Sequence, residues 1–432
     1  WRLRARAVRD VVWNGRRPTF ELRTALGRRI VATGNHPLRT LDGWIPLSDL
    51  APGDRIATPR RLDLASTARW PEHELIVLGG LLSEGNTCHP TCLYFYNNDA
   101  GLIADFAHAA SRFPDTVARV ATRANGRLEV CLSTGRDTRF RKGQRPWNAT
   151  EGNTALARDE LPARNGAFLW TQQLGLLNHR ADQKRVPGAV FALADENIAL
   201  LLGRMWSGDG FFIGSSNTVP YYATSSEGLA RDVQDLLLRL GVVARIQTKR
   251  FKYRGGLRPG YAVYLLGEDS VRQFVERVVP HCVGRDVQIR GLKARLALLA
   301  GGASSKDTVP GTVRRRVDAA RIGAGLTWRE LEVQSAVSMR EFYGRGSVGK
   351  RGFRRATVGR LAAYFNDDGL RALATSDVYW DTVVEIAPRG VEDVYDLEVE
   401  GDHNFVADGL IVHNSHAAAY ALVAYQTAYF KA

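Results

Sequence analysis

Two apolar runs of helical length end alike. Leu75-Ile76-Val77-Leu78-Gly79-Gly80-Leu81-Leu82-Ser83-Glu84-Gly85 is matched by Ile198-Ala199-Leu200-Leu201-Leu202-Gly203-Arg204-Met205-Trp206-Ser207-Gly208-Asp209-Gly210, each closing on small residues, an acid and a glycine. A helix that is apolar on every side is a buried one. After the first run the pattern predicts a helix over 101–113 and a hairpin turning at Asn125-Gly126. After the second it predicts a helix over 228–240 and a strand pair around Gly255-Gly256. Glu84 precedes Arg119 by 35 residues and Asp209 precedes Arg245 by 36, so the middle of the chain reads as one α/β unit written twice.

The two ends follow a different rhythm. Phe20–Leu26, Ile30–Thr33, Trp44–Leu47 and Asp54–Ala57 read as short strands, and the style returns after about residue 378 with Asp381–Ile386, Val394–Val399 and Asn404–Val406. Gly, Pro and Asp turns separate them. Two β-rich ends around a differently patterned middle predict one β domain interrupted by an insertion. Residues 308–372 belong to neither repeat. Arg314-Arg315-Arg316 and Lys350-Arg351-Gly352-Phe353-Arg354-Arg355 suggest short basic helices, with Thr327 and Glu330 spaced as a capping box.

At 432 residues with a formal charge of +14, the chain exceeds one compact domain and favours a polyanionic partner. Alternate strand positions share a face, which puts Arg119, Ala121 and Arg123 together, and likewise Arg245, Gln247 and Lys249. A two-stranded ribbon with such side chains fits the DNA major groove. Four cysteines are too few for a secreted disulfide framework. Cys88-His89-Pro90-Thr91-Cys92 could start a zinc site, but no second ligand pair follows. No apolar run reaches the ~18 residues of a membrane helix and no signal peptide opens the chain, so a cytoplasmic protein without a membrane partner is expected.

The sharpest chemistry lies at His413-Asn414-Ser415. An Asn side-chain amide can attack its own carbonyl carbon, close a succinimide and expel the next residue, given a proton donor for the leaving amine. His413 is that donor and Ser415 an acyl acceptor. Residues 394–415, with Asp396 and with His403 seven positions on, resemble the C-terminal splicing block of inteins. Thr33-Gly34-Asn35-His36 resembles the intein block bearing a Thr-x-x-His pair. The resemblance implies a discontinuous β-rich hedgehog/intein (Hint) splicing domain needing no cofactor. Thr33 and His36 would serve the first junction, Asp396 and His403 would position and protonate groups between the junctions, His413 would assist cyclisation of Asn414, and Ser415 would receive the acyl group.

The repeated middle resembles the two-motif LAGLIDADG homing endonucleases that interrupt inteins. That resemblance assigns Glu84 and Asp209 as catalytic, metal-holding acids for Mg2+, with Lys184 supporting the chemistry by stabilising charge or tuning the attacking water. Double-stranded DNA, namely the intein-less allele of the host gene, is the implied substrate, with Arg119, Arg123, Arg245, Gln247 and Lys249 as DNA contacts. The expected organisation is 1–65 and 376–414 for the splicing domain, 70–300 for the endonuclease, 301–375 for a basic DNA-recognition subdomain, and 415–432 for the start of the C-extein. Ser415–Tyr429 resembles a segment of the alpha subunit of bacterial DNA polymerase III, the expected host and source of the exteins. The first intein block, with its Cys or Ser nucleophile, is expected upstream of Trp1. That leaves a fragment, or the larger piece of a split intein with a short N-terminal partner. The rival readings are a DNA-binding protein without catalysis, an inactive fragment of the host that only binds DNA, and the polymerase itself.

Overall fold

The computed structural model describes residues 1–62, 64–134, 164–214, 219–253, 255–299, 306–343, 349–399 and 403–413. Five strands open the chain: β1 (Val8–Thr24), β2 (Arg29–Thr33), β3 (Pro37–Thr40), β4 (Gly43–Pro46) and β5 (Arg55–Pro59). The first repeat is α1 (Glu72–Leu82), β6 (Gly85–Asn86), β7 (Leu93–Asn97), α2 (Ala100–Ala110), β8 (Val117–Thr122) and β9 (Leu128–Ser133). After α3 (Gly166–Gln173), the second is α4 (Asp195–Asp209), β10 (Gly210–Phe211), β11 (Tyr221–Thr224), α5 (Glu227–Arg239), β12 (Ala244–Tyr253) and β13 (Gly256–Leu265). Then come α6 (Gly267–Arg277) and α7 (Asp286–Leu298). A small unit follows, made of β14 (Thr308–Pro310), α8 (Val313–Gly323), α9 (Trp328–Ser335), β15 (Gly352–Arg354), α10 (Arg355–Phe365) and α11 (Asp368–Ala374). Last are β16 (Val378–Val399), β17 (Asn404–Ala407) and β18 (Leu410–His413).

Strands from the two chain ends pair with one another. One sheet runs β2-β1-β16-β5 and another β17-β18-β3-β4. β1 and β16 pair antiparallel from Val8↔Val399 to Thr24↔Val383. Leu22, Ile30, Leu38, Leu397, Phe405 and Val412 close a common core, so alternation along each strand sends these side chains inward. Two segments expected as separate strands, Asp381–Ile386 and Val394–Val399, are joined in the single strand β16. The Pro388–Gly390 stretch between them continues the ladder, with Pro388 opposite Phe20 and Gly390 opposite Thr19 beside a register shift. β5 pairs only with Val378–Thr382. Further on, β16 has one neighbour, and a proline is tolerated on such an edge.

The two repeats build sheets of the same order, β6-β7-β9-β8 and β10-β11-β13-β12. Their leading helices α1 and α4 pack so closely that a Cβ on Gly79 would lie 2.7 Å from the Cβ of Arg204 and 3.3 Å from the Leu201 carbonyl. Glycine is what permits that approach. Leu75–Leu82 are buried throughout α1, as the unbroken apolar run predicts.

The core of the small unit from β14 to α11 is continuous with the terminal strands. Val313, Val317, Phe342, Leu361 and Leu370 cluster with Leu41, Ala57, Trp380 and Ile411 of the terminal strands. Thr327 and Glu330 do form the capping box of α9. Elsewhere the tip of the β1–β2 hairpin docks on the second repeat: Ile246 N–H donates to the Leu26 carbonyl at 3.0 Å, and Gln234 Nε2 donates to the same oxygen at 2.9 Å.

Candidate functional site

Thr33 ends β2 and is 5% exposed, while His36 is fully buried. The His36 N–H donates to the Thr33 carbonyl at 3.1 Å, and the Leu47 N–H donates back to the His36 carbonyl at 2.9 Å, so the turn between them is strapped by the segment after β4. β18 pairs with β3 through Val412↔Leu38. In an antiparallel pair the register runs oppositely on the two strands. His413, one past Val412, and His36, two before Leu38, therefore stand at the same end. Asn404 is the partner of His413 across the β17–β18 hairpin. Asp396 lies buried on β16 opposite Val12. His403 is exposed just before β17 with a left-handed φ of 50°. Asn414, Ser415 and the expected extein 415–432 lie outside the described residues.

The second site is at the ends of α1 and α4. Glu84 follows α1, and Asp209 ends α4. Each acid is followed by a glycine folded hard against the chain: a Cβ on Gly85 would meet Leu81 Cα at 2.4 Å, and one on Gly210 would meet Trp206 Cδ1 at 2.1 Å. Burial pushes the Asp209 carboxyl up to about 7, and the negative charge of Glu84 adds to the effect. Burial likewise raises Glu84, against the pull of Arg127 first, then Arg285 and Lys184. The effect of the Glu84 charge on Asp209 marks the two carboxylates as one electrostatic site.

Cations answer both helix ends. Lys184 is 7% exposed. Its Nζ donates to the carbonyls of Leu81, Ser83 and Gly85 at 2.8, 2.9 and 3.0 Å. Burial lowers its ammonium to about 8, with Asp209 and Glu84 opposing. Arg285 plays the equivalent part at α4, donating from Nη2 to the carbonyls of Ser207 and Gly208 at 3.2 and 3.0 Å. Positive charge at a helix C-terminus offsets the macrodipole, which an acid there alone would oppose. Glu84 also accepts from Arg127 and, at 3.1 Å, from Asn97 Nδ2. An open cavity of about 560 Å3 beside it is lined by Glu84, Asn97, Arg127, Arg285 and Asp286 among others. Two oxygen-bearing carboxylates suit a hard cation that keeps most of its water. Among the described residues no group of three or more His, Cys, Asp or Glu is placed to hold a metal ion. The Cys88–Cys92 segment gathers no such group either. There His89 Nδ1 accepts from the backbone N–H of Thr91 and Cys92.

Arg119, Arg245, Gln247 and Lys249 are exposed on the sheet faces turned away from the helices, while Arg123 sits in the turn after β8. Aromatic rings lie among them. The Arg123 guanidinium is 4.7 Å from the Tyr96 ring centre and pairs with Glu129, and Lys249 Nζ donates to Tyr264 Oη at 2.6 Å. Sequence reasoning missed Arg127, Arg285, Asn97 and the Tyr96 and Tyr264 platforms. Tyrosines alternating along β7 were the one available signal.

Terminal strands closed around one core, with His36 and His413 at one end of the β3–β18 pair, and a duplicated helix-and-sheet unit between them define an outer domain carrying an insertion. A family model described as the intein splicing domain matches residues 2–414, and the chain belongs to the intein splicing family. The replicative DNA helicase DnaB of Rhodothermus marinus is 34% identical over 421 residues, covering 96% of this chain and 42% of the helicase. Protein RecA of Mycobacterium tuberculosis (strain ATCC 25618 / H37Rv) is 26% identical over 442 residues, covering 95% of this chain and 51% of RecA. The chain thus spans about half the length of these curated relatives, or less. Among solved structures, variants of the homing endonuclease I-DmoI overlap 48% of this chain and 96% of their own at 8% identity and a TM-score of 0.31, too slight an overlap to define the fold.

Proposed function

We propose that this chain is an intein that breaks and rejoins peptide bonds at its own borders and carries a DNA endonuclease in its insertion. The splicing half rests on the gathering of the Thr33–His36 turn and His413 at one end of the β3–β18 pair. In this reading Thr33 and His36 hold and protonate the first junction, Asp396 and His403 position and protonate groups between the junctions, and His413 protonates the amine that leaves when Asn414 cyclises onto its own carbonyl carbon. Before that step Ser415 takes the acyl group from the ester or thioester formed by the Cys or Ser nucleophile of the first intein block, expelling that nucleophile's side chain. After cyclisation an acyl shift from the Ser415 oxygen to its freed amine restores a peptide bond. No cofactor is needed, because protein side chains and backbone supply every nucleophile and proton donor.

The endonuclease half rests on one observation: two sheets of identical strand order lead from two helices packed through Gly79, and those helices bring Glu84 and Asp209 into one field. The two carboxylates would hold Mg2+, which supplies charge neutralisation at a phosphodiester. Lys184 and Arg285 hold the helix ends that present them. The exposed basic faces of the two sheets would take double-stranded DNA, as would the basic unit at 301–375, and the target would be the host gene without the insertion. Supercoiled plasmid carrying that sequence should be cut with Mg2+ and spared in EDTA. Glu84→Gln and Asp209→Asn should each lower cutting by 10²-fold or more while leaving DNA retention in EDTA within about twofold. Wild-type cutting by either variant would remove the acids from the chemistry.

A specific observation favours a second reading, DNA binding without cutting: Arg127 and Asn97 already occupy both oxygens of Glu84. The same plasmid assay separates the two. For the host, residues 415–432 favour the alpha subunit of bacterial DNA polymerase III, whereas the relatives carry the names of a helicase and RecA. A shared segment of 421 to 442 residues inside differently named proteins is what a portable insertion leaves. No helix of the described residues is long and apolar enough to cross a membrane. We place the activity in the cytoplasm, where such a gene target would be.

A further inference from the structure

The sheet β17-β18-β3-β4 has two faces. Leu38, Ile45 and Val412 turn to the strand core. On the other face Arg39 and Trp44 are register partners across β3 and β4, and Ile411 joins the cluster shared with α8 and α10. From β4, the Trp44 side chain crosses over β3 to meet His413 at the end of β18. The ring centroids are 5.0 Å apart and the planes are inclined at 79°.

Trp44 is itself held in place. The Arg39 guanidinium carbon lies 5.3 Å from the Trp44 ring centre and 4.7 Å from that of Trp1, and Trp1 in turn meets Trp380 at 5.5 Å. Burial and the nearby Arg316 both lower the Arg39 pKa, which places α8 against this stack. The indole is therefore a fixed wall, packed on the shared core from one direction and on the arginine from another.

We propose that Trp44 is a positioning residue for His413, fixing the plane of the imidazole at the C-terminal junction. The inference rests on the reading of His413 as the proton donor for Asn414 cyclisation. A general acid works only within hydrogen-bond reach of the atom it protonates, so a side chain at a strand end gains from anything that narrows its rotamers. An edge-to-face aromatic contact does this without drawing on the strong hydrogen bonds of the ring nitrogens.

The test uses the full chain with a reporter fused after Ala432, following release by mass spectrometry. Trp44→Leu should slow cleavage between Asn414 and Ser415 by roughly 2- to 12-fold, the population change an aromatic pair sets. Trp44→Phe should restore the rate to within about twofold. In a His413→Ala background Trp44→Leu should have no further effect. A Trp44→Leu loss of equal size in that background would overturn the inference, because Trp44 would then act through the fold. If His413→Ala itself leaves the rate unchanged, the reading of His413 falls first. Should Trp44→Leu unfold, the unaltered chain still decides. A ring C–H resonance of His413 should be shifted by the indole ring current, and an unshifted resonance would sink the proposal.

Discussion

Arg28 of the β1–β2 hairpin donates to the Asp235 carboxylate of α5, with its own side chain 7% exposed. The pair crosses the boundary between the terminal strands and the inserted unit. Gly409, in the β17–β18 turn, lies so near that an added Cβ would meet the Arg28 guanidinium carbon at 2.7 Å.

Asp408, next to that glycine, titrates within this charge group. Burial pushes its carboxyl up to about 6, with Arg231, Arg28 and Arg29 pulling down and Asp235 pushing up. The folded chain therefore holds this proton more tightly than the unfolded chain, where an aspartate titrates near ~3.9. The stability contribution is present below that value and is lost as pH rises from about 4 to about 6. Asp408→Asn, which mimics the protonated form, should flatten this decline and raise the urea midpoint at pH 7. An unchanged slope between pH 4 and 7 would show that Asp408 does not contribute.

Lys184 should matter to stability as well as to cutting. Its pKa of about 8 leaves it mostly protonated at pH 7, and all three N–H bonds reach backbone carbonyls. Lys184→Met would orphan those acceptors, at a loss of about 2 kcal/mol or more in urea unfolding, the same with EDTA as with Mg2+. A variant that unfolds like the unaltered chain yet cuts slowly would instead assign the lysine to the chemistry alone.

The sheet faces make a separate prediction. Replacing Arg119, Arg245 or Lys249 with alanine should reduce the log–log salt slope of DNA binding by roughly one for each phosphate no longer neutralised. A base-reading member would relax specificity at one position instead, at about 1–3 kcal/mol. Filter-binding titrations between low and moderate salt distinguish the cases. Slopes equal to that of the unaltered chain in all three variants would take these strands out of the interface.

Local chemistry was readable in the chain. Asn125-Gly126 turns the β8–β9 hairpin with Gly126 at a φ of 80°, and Thr327 and Glu330 cap α9, because each signal lies within a few residues. The Pro388–Gly390 stretch misled, since a proline on an unpaired edge looks like a turn in sequence. The partners of the acids were out of reach for another reason: Arg127 is 43 residues from Glu84 and Arg285 is 77 from Gly208. Only the fold brings them in. The basic composition of 308–372 pointed outward to DNA and hid Val313, Val317 and Leu361, which turn inward beneath Leu41 and Ile411.

That shared core constrains how such a chain can shrink over generations. Losing the duplicated middle leaves the outer strands with their own partners. A longer loss, taking β14 to α11 as well, would strip the wall from behind Trp44, Trp380 and Ile411 and expose a greasy face beside His413. Descendants that discard the duplicated middle should therefore keep the basic unit, or replace those side chains with polar ones as they let it go.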